Sequence, residues 1–223
     1  MIHASAIIDA DARLAADVEI GPYSVIGAGV EIDSGTVIGP HVVVNGPCKI
    51  GRDNRIFQFA SVGEMPQDKK YNGEPTTLVI GDRNTIRECV TLNRGTTGGI
   101  GTTTVGNDNL FMAYSHIAHD CIVGNHCIFA NGSSLAGHVE VGDYAILGGF
   151  ALVHQFTHIG TRAFCGMGSV ITRDIPPFST AAGGRAKVIG INKEGLRRNG
   201  FSPELIRALH KSFRELLKSK APK

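Results

Sequence analysis

The chain of 223 residues has no apolar run of 18 residues, no Cys-x-x-Cys pair and no charged-then-apolar leader. The first absence argues against a membrane-spanning helix. The third argues against a cleaved secretory leader, so a cytoplasmic protein with no membrane span is expected. Neither sign of charge dominates: the formal net charge is +2, and that balance gives no reason to expect nucleic acid as a partner. Cysteine is scarce. Cys48, Cys89, Cys121, Cys127 and Cys165 are read as reduced packing residues, because four of them occupy repeat positions that want a small buried side chain.

A six-residue period fills the space those absences leave. An aliphatic residue recurs at Ile2, Ile8, Leu14, Ile20, Ile26, Ile32, Ile38, Val44, Ile50, Ile56 and Val62, and again at Ile80, Ile86 and Leu92. One residue out of phase, the series resumes at Val105, Phe111, Ile117, Val123, Phe129, Leu135, Val141, Leu147, Val153, Ile159, Cys165 and Ile171. Such a period belongs to a solenoid, here an all-β parallel β-helix. If the aliphatic is position one, position two is usually Gly or Ala, as in Gly21, Gly27, Gly39, Gly81, Gly106 and Gly142. A corner with a small or φ-positive residue is expected there. Position five is small or β-branched and should also point inward, with position six outward between them. Three hexads close a coil of 18 residues, and almost nine coils span roughly 40 Å at a spacing of about 4.7 to 4.8 Å.

The repeat fails twice. Residues 63–79 are polar and punctuated by Pro66, Gly73 and Pro75, which reads as a loop thrown out from the solenoid. Residues 94–104, rich in Gly and Thr, absorb the phase change, since a slip would turn inward side chains outward. Loops that interrupt a strict repeat tend to carry function. The solenoid should occupy residues 1–175, with 176–223 an irregular segment plus one amphipathic helix at about 203–218. That helix opens on Ser202-Pro203-Glu204, an N-cap, a first-turn Pro and an acid. From Gly183 onward the chain is basic, which suits either an acidic or phosphate-bearing partner or a solvated helix face.

The 18-residue period also places the histidines. Asp120 and His138 stack one coil apart, and His119, Gly137 and Gln155 form the adjacent column. His116 falls at outward position six and His154 at position two. A histidine beside a carboxylate, one coil from a glycine N–H, supplies a general base and an oxyanion donor. A metal centre is the other reading of clustered histidines. The columns put Asp120 beside His138 and offer no three-histidine set, so no metal and no cofactor are expected.

These residues sit in motifs with a family likeness. His116-Ile-Ala-His119-Asp120-Cys121, Leu135-Ala-Gly137-His138-Val139 and Val153-His154-Gln155-Phe156 resemble the bacterial UDP-N-acetylglucosamine acyltransferases of lipid A synthesis. So do His41-Val-Val-Val-Asn45-Gly46, Gln58-Phe-Ala-Ser-Val-Gly63, Gly73-Glu-Pro75 and Asn192-Lys-Glu194-Gly-Leu-Arg. The likeness covers about residues 1–218. It implies a left-handed helix, a homotrimer with clefts between subunits, and transfer of a 3-hydroxyacyl chain from acyl carrier protein to the 3-hydroxyl of UDP-N-acetylglucosamine. It further implies that His119 is the base, Asp120 its orienting acid and Gly137 the oxyanion donor. Asp68, Lys70, His116, His138, His154 and Gln155 would line the nucleotide-sugar site. Asn192, Glu194 and Arg198 would reach the UDP part, from an adjacent subunit. Asp68 and Lys70 are expected to meet the His119 face of a neighbouring chain. Met167, placed about two coils beyond the cleft near His119, would limit the acyl chain to a medium length of the 3-hydroxydecanoyl type. Two departures stand out: Asn199 replaces a second basic residue of the family, and the family continues for several more C-terminal helices. The rival readings are the N-acyltransferase of the same pathway, which carries a separate N-terminal uridine-binding domain, and a non-catalytic hexapeptide scaffold.

Overall fold

The computed structural model describes residues 1–218 of the chain. It is a left-handed parallel β-helix in which each 18-residue coil lays one short strand in each of three sheets. Among the described residues these sheets have nine, eight and ten strands. Register follows the period: Val25 pairs with Val43, Val43 with Ser61, and Ile128 with Ile146. Position one is buried along the length, from Ile20 through Ile171, and Phe111 and Phe129 stack inside at 4.8 Å. Position five is buried too, as in Ser24, Val30, Thr36, Val42, Cys48 and Ala145. Only the first coil is open, where Ile2 is exposed and Ile8 and Leu14 are half-buried. Burial pushes the thiols of Cys48, Cys121, Cys127 and Cys165 up to about 12. Cys89 is different: it sits half-buried on a turn at position four and is not a packing residue of the interior.

The turns correct one expectation. The recurring left-handed φ lies at position four, taken by Tyr23, His41, Asp53, Phe59, Arg83, Asp108, Tyr114 and their successors, whereas at position two Gly63 adopts it where the first loop departs. Position two is small because the next coil's backbone lies against it. A Cβ on Gly21 would stand 2.7 Å from the carbonyl carbon of Gly39, and one on Gly106 2.6 Å from the oxygen of Gly124. Each non-glycine residue in that conformation costs about 1–2 kcal/mol. Stacking up the column offsets part of it: Tyr23 on His41 at 5.2 Å, His126 on Tyr144 at 4.6 Å, His138 on Phe156 at 4.4 Å.

Both interruptions are loops, tighter than the sequence implies. The strand Ser61–Glu64 runs on into the first and Thr77–Ile80 begins before its expected end. The pairing of Leu78 with Cys48 shows that the detour adds twelve residues to a coil. The second detour ends where strand Thr102–Val105 begins. His116 pairs with Thr91 across 25 residues instead of 18, so the extra residue is absorbed here, as the phase change requires.

Residues 178–201 are not irregular. Ser179–Ala182 pairs in parallel with Phe164–Cys165, and Lys187–Ile191 folds back on it antiparallel. Helix α1 (Lys193–Arg198) and helix α2 (Pro203–Phe213) follow, and α2 passes into a π-helical turn, Arg214–Lys218. The hairpin was hidden because its apolar residues, Val188, Ile189 and Ile191, are too few to set a period. The Ser202 hydroxyl caps α2 by accepting from the Leu205 N–H. Leu196 and Phe213 bury against Ile191 and close the end of the helix. The last five residues of the sequence lie outside the described residues, and with them the end of the basic tail.

Candidate active site

The turns that carry Asp120 and His138 share one edge of the prism. Strand His116–Ile117 leads the chain into the first of them, so His116 faces out while Ile117 is buried. The next residues, His119 and Asp120, fall at positions three and four. The left-handed φ of Asp120 (+59°) aims its carboxylate back at the preceding histidine. His119 Nδ1 lies 2.9 Å from Asp120 Oδ2, and the Asp120 side chain has no exposed surface. Its imidazole lies flat over Gly137: a Cβ there would be 2.5 Å from His119 Cε1 and 2.7 Å from Nε2. Glycine is therefore required by the ring, and among the described residues nothing accepts from the Gly137 N–H. His138 meets His119 edge-on with ring centroids 5.1 Å apart, while its Nδ1 stays 4.0 Å from Asp120 Oδ2.

Four contacts tie the Asp120 carboxylate to the second loop, and a fifth ties its backbone to the strand that follows. The Thr96 N–H donates to both carboxylate oxygens at 3.1 Å, and the Thr96 hydroxyl donates to Oδ2 at 2.6 Å. The Gly101 N–H donates to Oδ1, and the Asp120 N–H donates to the Thr103 hydroxyl. Burial opposes ionisation of Asp120 most strongly. The hydrogen bonds from Thr96 and His119, with His138 nearby, outweigh it and hold the carboxyl below the usual carboxylate range. In His116 it is the neutral form that the surroundings favour. Its burial, then the charge of His119, lowers its pKa, and its Nδ1 bonds the Thr91 hydroxyl at 2.7 Å.

His119, Asp120 and His138 bring three possible metal donors within 4.8 Å of one another. The donor set does not suit an ion. Both oxygens of Asp120 are already filled by N–H and O–H donors, and His119 uses Nδ1 to reach one of them. The arrangement is that of a histidine held by an acid, with Nε2 left to face outward.

Outward lies a cleft of about 730 Å³. His119, His138, Gln155 and Phe156 form its floor, Asp68, Lys70, Tyr71 and Glu74 of the first loop one wall, and Thr96, Thr97 and Gly98 of the second loop another. Asp68 and Lys70 thus meet the His119 face of their own chain. The loop leaves the sheet just before this edge, and Arg94 ties the two detours together. Its guanidinium donates to the carbonyls of Gly46 and Gly63 and to the Tyr71 hydroxyl.

Five of the residues expected at the nucleotide-sugar site, His116, His154, Asn192, Glu194 and Arg198, do not line this cleft within one chain. His154 is exposed beside it, with Nδ1 near the Gln155 carbonyl. Asn192 is the N-cap of α1, its amide spent on Gly195 and on the Arg162 carbonyl. Glu194 pairs with Arg197 and Arg198 on the exposed face of the same helix. Asn199, at the helix end, donates its amide to the Gly195 carbonyl and so caps α1. Met167 is also displaced from expectation. It lies on the turn of Gly168 and Phe150, 81% exposed and against Gly149, whereas His119 lies on the turn of His138 and Phe156. The 48 residues between them are not a whole number of coils, and that is the reason.

Residues 174–222 match a family model described as UDP-N-acetylglucosamine O-acyltransferase, domain 2. Residues 1–34 and 102–137 match the bacterial transferase hexapeptide repeat. The chain is 62% identical over 215 residues to the acyl-[acyl-carrier-protein]–UDP-N-acetylglucosamine O-acyltransferase of Halorhodospira halophila, covering 96% of this chain and 83% of that one. It is 57% identical over 220 residues to the enzyme of the same name from Albidiferax ferrireducens, covering 97% and 83%. The crystal structure of UDP-N-acetylglucosamine O-acyltransferase from Moraxella catarrhalis superposes with a TM-score of 0.98 at 45% identity, covering 99% of this chain and 86% of that one.

Proposed function

Because the chain belongs to the acyl-[acyl-carrier-protein]–UDP-N-acetylglucosamine O-acyltransferases of lipid A synthesis, we propose that it works with His119 as the general base. His119 Nε2 takes the proton of the sugar 3-hydroxyl as that oxygen attacks the thioester carbonyl of a 3-hydroxyacyl chain on acyl carrier protein. Asp120 fixes the Nδ1–H tautomer and stabilises the imidazolium that forms. The oxyanion of the tetrahedral intermediate accepts from the Gly137 N–H. Collapse breaks the C–S bond, and His119 returns the proton to the departing carrier thiolate.

The observation that carries this reading is the His119–Asp120 contact at 2.9 Å directly over the Gly137 amide edge. Lys70, Asp68, His138 and Gln155 line the remaining cleft and suit a nucleotide sugar, with the ammonium of Lys70 toward the diphosphate. His116, His154, Asn192, Glu194 and Arg198 contribute only if a second copy brings its own surface to this edge. A homotrimer is accordingly part of the proposal. So is a donor of medium length, since Met167 presents several heavy atoms where glycine would present none.

The deciding assay follows acyl transfer from a 3-hydroxyacyl carrier protein to UDP-N-acetylglucosamine. Formation of the 3-O-acyl product is expected. Acylation of an amino sugar instead would point to the N-acyltransferase, and no transfer to a scaffold.

A further inference from the structure

The second interruption of the repeat is shaped around one carboxylate. Thr96 gives Asp120 its hydroxyl and its amide, and Gly101 adds another amide to the opposite oxygen. Gly99 passes so close that a Cβ there would lie 2.4 Å from the Asp120 carboxyl carbon. Thr103 holds the backbone of the same residue. A loop that only relieved a one-residue slip would need none of these contacts.

We propose that Thr96 is a positioning residue of the acyl transfer: it holds the Asp120 carboxylate ionised and rotated so that Oδ2 faces His119 Nδ1. This rests on His119 being the base. Three donors on a buried anion withdraw charge that would otherwise attract a proton, and two of them come from Thr96. Oδ2, which takes the Thr96 hydroxyl at 2.6 Å, is the oxygen that bonds His119. Removing the hydroxyl leaves the His119–Asp120 pair with less support for its negative charge. The pair then takes up its first proton at higher pH, and the base is lost sooner on acidification.

The test compares Thr96→Val, Thr96→Ser and His119→Ala in the transfer assay, across pH and with melting curves recorded for each. Thr96→Val should lower kcat about tenfold and move the acid limb of its pH profile up by about one unit, with KM for the nucleotide sugar little changed. Thr96→Ser, which restores the hydroxyl, should return both to wild type. In an Asp120→Asn background, Thr96→Val should cost no further activity. A Thr96→Val enzyme that loses activity evenly across pH, or loses as much again on Asp120→Asn, overturns the positioning role. If His119→Ala stays active, the reading of the base fails instead, so the two failures are distinguishable.

Discussion

A carboxylate with no exposed surface ordinarily takes up a proton, yet Asp120 stays ionised because its donors outweigh its burial. Chemistry at this edge therefore depends on single atoms. Truncating His119 to alanine should reduce transfer about 10²–10⁴-fold with little change in melting temperature, because the ring lies on the outside of the solenoid and leaves no cavity. Retention of more than about a tenth of the activity would exclude His119 as the base. Gly137→Ala tests the same geometry from below. Its methyl would stand 2.5 Å from His119 Cε1, so the ring must swing off the amide. Activity should fall about as far as in His119→Ala while the fold melts as before. An active Gly137→Ala enzyme would mean that the ring need not lie over that amide.

Among the elements, the buried thiols of the interior, three at position five and Cys165 at position one, make stability depend on alkali. Four thiols titrate near 12 in the folded chain and near 9 when exposed, so folding holds their protons. An acid whose folded pKa is raised stabilises fully below about pH 9, and that contribution is lost as pH rises through 9 toward 12. By pH 10 each thiol should cost on the order of 1 kcal/mol. Denaturant unfolding at pH 7.5 and pH 10 checks this. Cys127→Ala should lose less stability between the two than wild type does, and equal losses would refute it. The loops are a second element-scale case. From the second detour Arg94 binds neutral acceptors, the Gly63 carbonyl and Tyr71 hydroxyl of the first detour and the Gly46 carbonyl of the coil beneath, so Arg94→Met should free the wall of Asp68, Lys70 and Tyr71 from the floor. A rise in KM for the nucleotide sugar larger than the fall in kcat is expected, and an unchanged KM would show that the wall holds itself. These contrasts also mark what the sequence could reveal. A period of 18 turns separation along the chain into adjacency in space, so the inward residues and the His119–Asp120–Gly137 cluster could be read directly. Thr96, Arg94 and Tyr71 sit where the period breaks, and nothing in the sequence says which turn they fold onto. The left-handed φ of position four stayed hidden because Tyr, Phe and Arg are not residues that announce it. Met167 and His119 differ by 48 positions, so a count in whole coils of 18 cannot place them on one column.

At the scale of the molecule, the three faces of the prism differ in charge. Outward positions of the second sheet carry Arg13, Glu31, Lys49, Glu140 and His158, with Arg13 and Lys49 both paired to Glu31. Those of the first sheet are Ile7, Val25, Val43, Ser61, Thr91, His116, Ser134, Leu152 and Val170, without one Asp, Glu, Lys or Arg. That face runs between the edge of His119 and an edge of exposed aromatics, Tyr23, Phe59, Tyr114 and Phe150, which also bears Met167. Depletion of charge with aromatic enrichment is the composition of a buried interface. Packing it against a second copy would bring one chain's aromatic edge toward the next chain's His119. Light scattering should report three chains at micromolar concentration, and a fully active monomer would sink the idea. The same geometry decides how Met167 could measure an acyl chain, since it cannot reach its own His119 cleft along one column. Trimers mixed from wild-type chains and chains carrying both His119→Ala and Met167→Gly separate the possibilities. Every working base then belongs to a chain that keeps its own methionine. If the ruler acts across the interface, a fraction of these sites should accept 3-hydroxymyristoyl donors over 3-hydroxydecanoyl ones, because each extra methylene buried contributes about 0.8 kcal/mol. A donor preference identical to wild type in the mixture, but altered in Met167→Gly homotrimers, would place the ruler within a single chain. No change in either would mean that Met167 only covers its turn.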